Sequence, residues 1–318
     1  MPCLSAGTHF AVSLTDNINA IISTMKVLKF GGTSVGTADA LRNVKAIVEG
    51  EKSPVIVVVS ALGGVTNLLL DAASRARKGD DVSGTLASIK QRHLDVIGQV
   101  VPEARQHECN AVVEQFVENL ASFCSMLAIN RDLSDDDVRR ITDAIACHGE
   151  IMSSAIVSAM IEGAEPFYSP SVIKTRVAPA GDVLDEALTA QLIAEHLGGD
   201  SVPCRVMQGF IAQDAVTGTA TTLGRGGSDF TAALVAAALD AEALEIWTDV
   251  DGFYTADPRT NPDATIIPVM TYEEAQRLCD AGAKVIYPPT IAPVARKNIP
   301  VWVKNTFNPA AAGTVIKG

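Results

Sequence analysis

Apolar positions along this chain change their period several times, and each change marks an element. Lys26-Val27-Leu28-Lys29-Phe30 reads as a strand running into Gly31-Gly32. Thr37 then caps a helix with Leu41, Val44, Ile47 and Val48 on one face, Asp39 in its first turn and Gly50 at its stop. After Pro54, Val55-Ile56-Val57-Val58-Val59 is β-branched and apolar on both faces, the pattern of a central parallel strand covered by helices on each side. Gly63-Gly64 make the next turn, and from about residue 67 to 163 the pattern is almost entirely helical. Over 134–161, Ile141, Ile145, Met152 and Ile156 keep a near four-residue period. Gly198-Gly199-Asp200 breaks it ahead of a strand over 202–210, a loop rich in Thr and Gly, a helix over 228–239 and a strand over 244–248. Helices near 272–281 and 289–297 and strands over 301–304 and 314–316 complete the chain. This alternation predicts an α/β fold, a three-layer α/β/α sandwich around a mainly parallel sheet. Its two lobes, 25–200 and 201–318, meet near residue 200. Residues 1–24 show neither period and read as a disordered or start-site leader before Met25.

Composition narrows the class. With 47% hydrophobic and 19% charged residues, the chain is too apolar to be disordered, and its 24 Gly and 15 Pro are too dispersed for collagen or a linker. A net charge of −12 disfavours a general nucleic-acid or anionic-membrane surface, so any phosphate site must be local. The longest uninterrupted apolar run, at Val55 to Val59, is far below the roughly 20 residues of a bilayer span, so no transmembrane helix is expected. The first 25 residues carry no Lys or Arg, as a signal or transit peptide would, which makes the cytoplasm the expected compartment. Six cysteines lack C-x-x-C or zinc-ligand spacing and read as reduced, buried thiols.

Two glycine-rich turns lie between a strand and a helix: Lys29-Phe30-Gly31-Gly32-Thr33-Ser34 and Leu223-Gly224-Arg225-Gly226-Gly227-Ser228-Asp229. Glycine lets backbone N–H groups approach an anion, the helix N-terminus adds its positive end, and Lys29 or Arg225 adds a formal charge. Neither is a P-loop or a dinucleotide fingerprint. Singly, each is as readily a structural turn; together, each with its own cation, they point to an anion site. The planar fork of Arg225 suits a carboxylate, and Ser228 and Asp229 are expected to cap the helix while also facing the site. Glu150 lies in a helix whose neighbours one turn away are Ala146, Cys147, Ser153 and Ser154, all small. A carboxylate there wants a partner, either a structural cation or an ammonium group admitted beside it. His148 shares the face of Ile145 and Met152 and reads as core. Asp249, Asp251 and Asp257 do not make an EF-hand, because Phe253 and Thr260 stand at ligand positions. Thr248 and Asp249, at the carboxyl end of a strand, are placed to touch a nucleotide. Tyr254 and Arg259 either flank its base and phosphates or are plain loop residues, and Lys284 is a second cation for a triphosphate.

Lys29-Phe30-Gly31-Gly32-Thr33-Ser34-Val35 closely resembles the opening motif of aspartate kinases, within the amino-acid-kinase fold. The resemblance continues through Ser60-Ala61 with Val65-Thr66-Asn67, His148-Gly149-Glu150, Gly224 to Asp229, Trp247 to Arg259 and Gly282-Ala283-Lys284-Val285, covering roughly residues 25 to 310 in unbroken order. It implies ATP-dependent phosphorylation of the β-carboxylate of L-aspartate to 4-phospho-L-aspartate, the first step towards lysine, threonine and methionine. Carried over by position, Glu150 holds the substrate ammonium and Arg225 its α-carboxylate, with Gly226, Gly227 and Ser228 beside them and Ser60 and Thr66 at the border. Lys29, Phe30, Gly31 and Gly32 cradle the transferring phosphoryl group, and Asp229 orients Lys29. Thr248, Asp249, Tyr254, Arg259, Lys284 and Val285 line the ATP site. Mg²⁺ is expected on the phosphates and water rather than in an acidic cage. Two other readings stay open: a kinase of this fold acting on another carboxylate, and an inactive amino-acid or nucleotide sensor. The family usually continues into regulatory ACT domains, whereas this chain ends at Gly318. The expectations are therefore an unregulated form, a separate regulatory subunit or a fragment, with a homodimer also open.

Overall fold

In the computed structural model, residues 25–178, 181–199 and 202–318 are described; the expected leader at 1–24, with Cys3, lies outside the described residues. β1 (Lys26–Phe30) sends Leu28 and Phe30 to one face and Val27 to the other, and Lys29 follows Val27 by the two-residue period of a strand. α1 (Ala38–Glu49) begins where Thr37 Oγ1 accepts from Ala40 N at 3.2 Å and ends at Gly50, burying Leu41, Val44 and Val48. β2 (Val55–Val59) is buried throughout. Four helices follow: α2 (Val65–Lys78), α3 (Ser83–Val100), α4 (Glu103–Ile129) and α5 (Asp135–Met160), the last capped by Ser134. β3 (Ala164–Phe167), β4 (Lys174–Ala178), β5 (Gly181–Leu184) and α6 (Glu186–Leu197) lead to β6 (Cys204–Gln208), β7 (Ile211–Asp214) and β8 (Ala220–Thr222). Then come α7 (Gly227–Ala238), β9 (Ala243–Thr248), β10 (Val269–Met270), α8 (Tyr272–Asp280), α9 (Ile291–Arg296), β11 (Val301–Asn305) and β12 (Thr314–Ile316).

An eight-stranded sheet runs in the order β10-β12-β11-β9-β1-β2-β6-β3, with β11 and β12 its antiparallel pair. β6, from beyond residue 200, lies between β2 and β3, so strands from both sides of that residue share one sheet. Helices α1–α5 cover the face carrying Phe30, Val57 and Val59, and α6–α9 cover the face carrying Val27, Ile56, Val58 and Ile246. This is the three-layer α/β/α arrangement expected from the alternation, with the loops that follow β1, β2, β6 and β9 gathered at one edge.

The sequence pattern passed over three features. A second sheet, β5-β4-β7-β8, occupies part of what reads as a Thr- and Gly-rich loop. Its strands are three to five residues long and polar, so they carry little alternation to detect. It is fastened to α5 by Arg139 on Asp182 (2.7 Å) and Thr222 Oγ1 on Asp143 (3.2 Å). Next, the strand expected over 202–210 stops at Gln208, because Phe210 turns the chain with a φ of 67° and its N–H donates to Thr231 Oγ1. Finally, α4 is by length and composition apolar enough to cross a membrane, which a search for uninterrupted runs misses because polar residues punctuate it. In the fold it packs against α2, α3 and α5 through Val113, Leu120, Cys124 and Leu127.

Candidate active site

Lys29 is the next-to-last residue of β1, on the α7 side of the sheet, and its Nζ lies 2.6 Å from Asp229 Oδ1. The contact is a close ion pair rather than an aligned hydrogen bond, since Oδ1 has no hydrogen-bond partner. Only 9% of Lys29 and 8% of Asp229 is exposed, so solvent screens the pair weakly. Asp229 Oδ2 accepts from the Tyr287 N–H at 3.1 Å, tying the 284–287 segment to the pair. Asp229 is in the first turn of α7, where the positive helix end favours a carboxylate. The expected capping does not occur. Gly226 is the N-cap residue with no side-chain cap bond; it adopts φ 77°, and a Cβ there would lie 2.3 Å from the Tyr287 ring. With the helix starting at Gly227, Ser228 and Asp229 are already inside it and cannot cap it.

The two glycine turns differ in how much of their backbone is used. Gly31 N–H donates to Trp247 O at 3.1 Å, and Gly31 O accepts from Val35 N. Gly31 thus offers an anion space rather than a donor. Phe30 is a correction to the expected phosphate cradle: its ring is fully buried and stacked on Trp247 at 6.0 Å, and its carbonyl accepts from Ser60 N. An apolar ring in register between two parallel strands can only be core. Gly32 packs on the next turn, where an added Cβ would meet Ala61 O at 3.2 Å and Gly63 Cα at 3.4 Å. Thr66 lies in the first turn of α2, just past Gly63-Gly64.

Glu150 belongs to the same neighbourhood from the other face. Gly149 lets α5 approach that turn, since a Cβ there would meet Ala61 Cβ at 2.8 Å. Glu150 is 3% exposed, its Oε2 has no hydrogen-bond partner, and no cation pairs with it among the described residues. Burial pushes its carboxyl up to about 8, against the opposing pull of the Ala61 N–H. His148 is core as expected: its Nδ1 lies 2.7 Å from Ala144 O, Phe116 and Phe123 pack edge-on against it, and burial lowers its pKa.

Arg225 is exposed in the second turn, with no anion pairing it among the described residues. Ser228 is buried, and an added Cβ at Gly209 would lie 2.5 Å from Ser228 Cβ, so the end of β6 touches the start of α7. Thr248 ends β9 with its hydroxyl on exposed Asp249. Lys284 is exposed and unpaired among the described residues, while Val285 packs on the α6–α9 core. One expected nucleotide contact is paired elsewhere. Arg259 is held on both oxygens of its own Asp257, at 3.0 and 2.8 Å, whereas Tyr254 is tied only through its backbone, bridged to Ile266. Sequence reasoning missed Gln208, Gly209, Phe210 and Tyr287; a glycine directly after a buried strand was the available signal for the first three. No group of three or more His, Cys, Asp or Glu among the described residues could hold a metal ion.

A buried lysine–aspartate pair thus lies at the carboxyl edge of a mainly parallel sheet, flanked by two glycine turns. The chain belongs to the amino acid kinase family, whose model matches residues 24–305. Within that family it is similar to lysine-sensitive aspartokinase 3 of Escherichia coli, at 34% identity over 93% of this chain and 64% of that protein. It is likewise similar to chloroplastic aspartokinase 1 of Arabidopsis thaliana, at 32% identity over 91% of this chain and 51% of that protein. The crystal structure of Escherichia coli aspartokinase III in complex with aspartate and ADP superposes with a TM-score of 0.82, covering 92% of this chain and 64% of that one. The chain thus spans between half and two thirds of these relatives' length.

Proposed function

We propose that this chain is the catalytic region of an aspartate kinase, transferring the γ-phosphoryl group of ATP to the β-carboxylate of L-aspartate. The observation that carries the reading is a complementary pair of unpartnered groups: the Glu150 carboxyl has no cation and Arg225 no anion among the described residues, matching the ammonium and α-carboxylate of an amino acid. The aspartate and ADP bound by the similar Escherichia coli enzyme support the choice of substrates.

An ionised carboxylate is already a nucleophile, so no general base is required and positioning with charge neutralisation supplies the catalysis. The substrate's β-carboxylate oxygen forms a bond to the γ-phosphorus while the bond to the β,γ-bridging oxygen breaks and ADP leaves. Lys29, oriented by Asp229, meets charge on the transferring group; Gly31 and Gly32 leave room for it. Ser60, Thr66 and Ser228, with the Gly226-Gly227 turn, border the amino acid. Thr248, Asp249, Tyr254, Lys284 and Val285 line the nucleotide, and Arg259 approaches it only if its pairing with Asp257 opens. Mg²⁺ would be carried mainly by the ATP phosphates and water, where it would offset their charge, since it keeps several waters and needs no dedicated acidic cage. In this division residues 25–200 supply Lys29 and Glu150 for the phosphoryl-transfer and amino-acid site and 201–318 line the nucleotide, while Arg225, Ser228 and Asp229 reach into the first site from the second part. The cytoplasm is the implied location, as a homodimer or with a separate regulatory subunit.

Trapping acyl phosphate with hydroxylamine, using ATP and either aspartate or glutamate, tests the reading. Product with aspartate alone supports it. Product with glutamate alone assigns another carboxylate kinase, and product with neither leaves a sensor.

A further inference from the structure

A cavity of about 470 Å³ opens between α4, α5 and the edge strand β3. α5 makes the room by presenting Ser154, Ala155, Ser158 and Ala159 to it, and Cys109, Val112, Ile151 and Phe167 supply most of the wall. Its polar groups are unequal. Gln208 is satisfied on both ends, donating to Ser154 Oγ at 2.7 Å and accepting from Ser169. Arg105 is not: this half-buried guanidinium donates to the Ser158 carbonyl at 3.3 Å and forms no ion pair among the described residues. Glu108, on the same wall, is exposed and does not pair with it. In a chain of net charge −12, an arginine left without an acid at the lip of an apolar cavity is an exception that calls for an anion.

We infer that this cavity is a binding site for a short-chain carboxylate, whose acid group meets Arg105 and whose aliphatic body lies against Cys109, Val112, Ile151 and Phe167. A wall largely apolar with one placed charge is the usual constitution of a small-molecule site. The inference stands apart from the proposed aspartate chemistry, because Arg105 and the apolar wall lie outside that site and only Gln208 borders both.

Calorimetry or ligand-observed NMR on the whole chain, with hexanoate and hexanol as probes, tests it. Hexanoate is expected to bind saturably and about tenfold more tightly than hexanol, the difference a charge-assisted hydrogen bond supplies. Arg105→Gln should abolish that preference. Ala155→Leu, which narrows the cavity and leaves Arg105 in place, should weaken both probes by about tenfold. Circular dichroism of each variant verifies folding. Equal binding of the two probes, an unchanged preference in Arg105→Gln, or no saturable hexanoate binding up to about 50 mM would overturn the assignment.

Discussion

Asp229 and Glu150 are two acids buried to a similar degree beside the same loops, at 8% and 3% exposed, and their surroundings differ in kind. Asp229 stands in the first turn of α7 with the Lys29 ammonium at 2.6 Å and the Tyr287 N–H on its other oxygen. Glu150 stands mid-way along α5 among small neutral side chains, with one oxygen unpartnered and its carboxyl pushed up to about 8. Folding supplies the first acid with its cation. The second keeps a proton in place of one, and only a bound cation can favour its ionised form. The chain therefore builds the phosphoryl end of the proposed site in advance and leaves the amino-acid end to be completed by substrate.

The hardest blow to this contrast is Lys29→Ala. It should lower kcat by about a hundred- to a thousandfold, the range for removing one preorganised group that stabilises transition-state charge. It should also destabilise the fold, because Asp229 is left buried without its cation. The double variant Lys29→Ala with Asp229→Ala is expected to recover stability but not kcat, which chemical denaturation and steady-state rates read separately. Recovery of both would reduce the pair to a structural role.

Next in size is Glu150→Gln, with the KM for aspartate rising by about thirtyfold, as expected when one partner of a charged hydrogen bond is lost. The carboxyl also sets a pH dependence. Its folded value of about 8 lies above the ordinary 4.5, so between those values the folded chain holds a proton that the unfolded chain has released. Its contribution to stability is thus complete below about pH 4.5 and is lost as pH rises through 8. Melting temperatures across that range should fall less steeply in Glu150→Gln than in the parent. At pH 7, aspartate binding should release about one proton from Glu150, because the incoming ammonium favours the carboxylate. Calorimetry in buffers of different ionisation enthalpy measures that release, which the Gln variant should lack.

The same contrast explains what could be read from the sequence. Val55 to Val59 and the Lys29-to-Gly32 turn announce a buried parallel strand and an anion loop through local residue types alone. Glu150 stands out as a charge among small and apolar neighbours on a helix. Whether such a charge has a partner depends on elements far away in sequence, and no local pattern encodes it: Asp229 meets Lys29 across 200 residues of chain. Tyr287 was invisible for the same reason, since its contacts with Gly226 and Asp229 exist only once α7 lies beside the 284–287 segment. Arg259 is the opposite case. Its sequence neighbour Asp257 already takes both ends of its guanidinium, a local pairing that spacing alone could have suggested.

Smaller effects come from the second glycine turn. Gly226→Ala forces a side chain into the Tyr287 ring at a φ of 77° and should cost about 1–3 kcal/mol in denaturant unfolding. Gly224, at φ 74° with nothing within 4 Å of an added Cβ, should lose only about 1 kcal/mol on the same change. The difference between the two isolates the Tyr287 contact from backbone strain.

Arg225→Lys should have the least effect. Arg225 is exposed and pairs with no acid among the described residues, so the change should leave unfolding within about 0.5 kcal/mol of the parent. A lysine keeps the charge but loses the planar two-pronged geometry, and the KM for aspartate should rise by about fivefold with kcat nearly unchanged. A lower kcat with an unaltered KM would place the guanidinium on the phosphoryl group instead. Arg225 would then belong to the nucleotide side, and Glu150 alone would be left to recognise the amino acid.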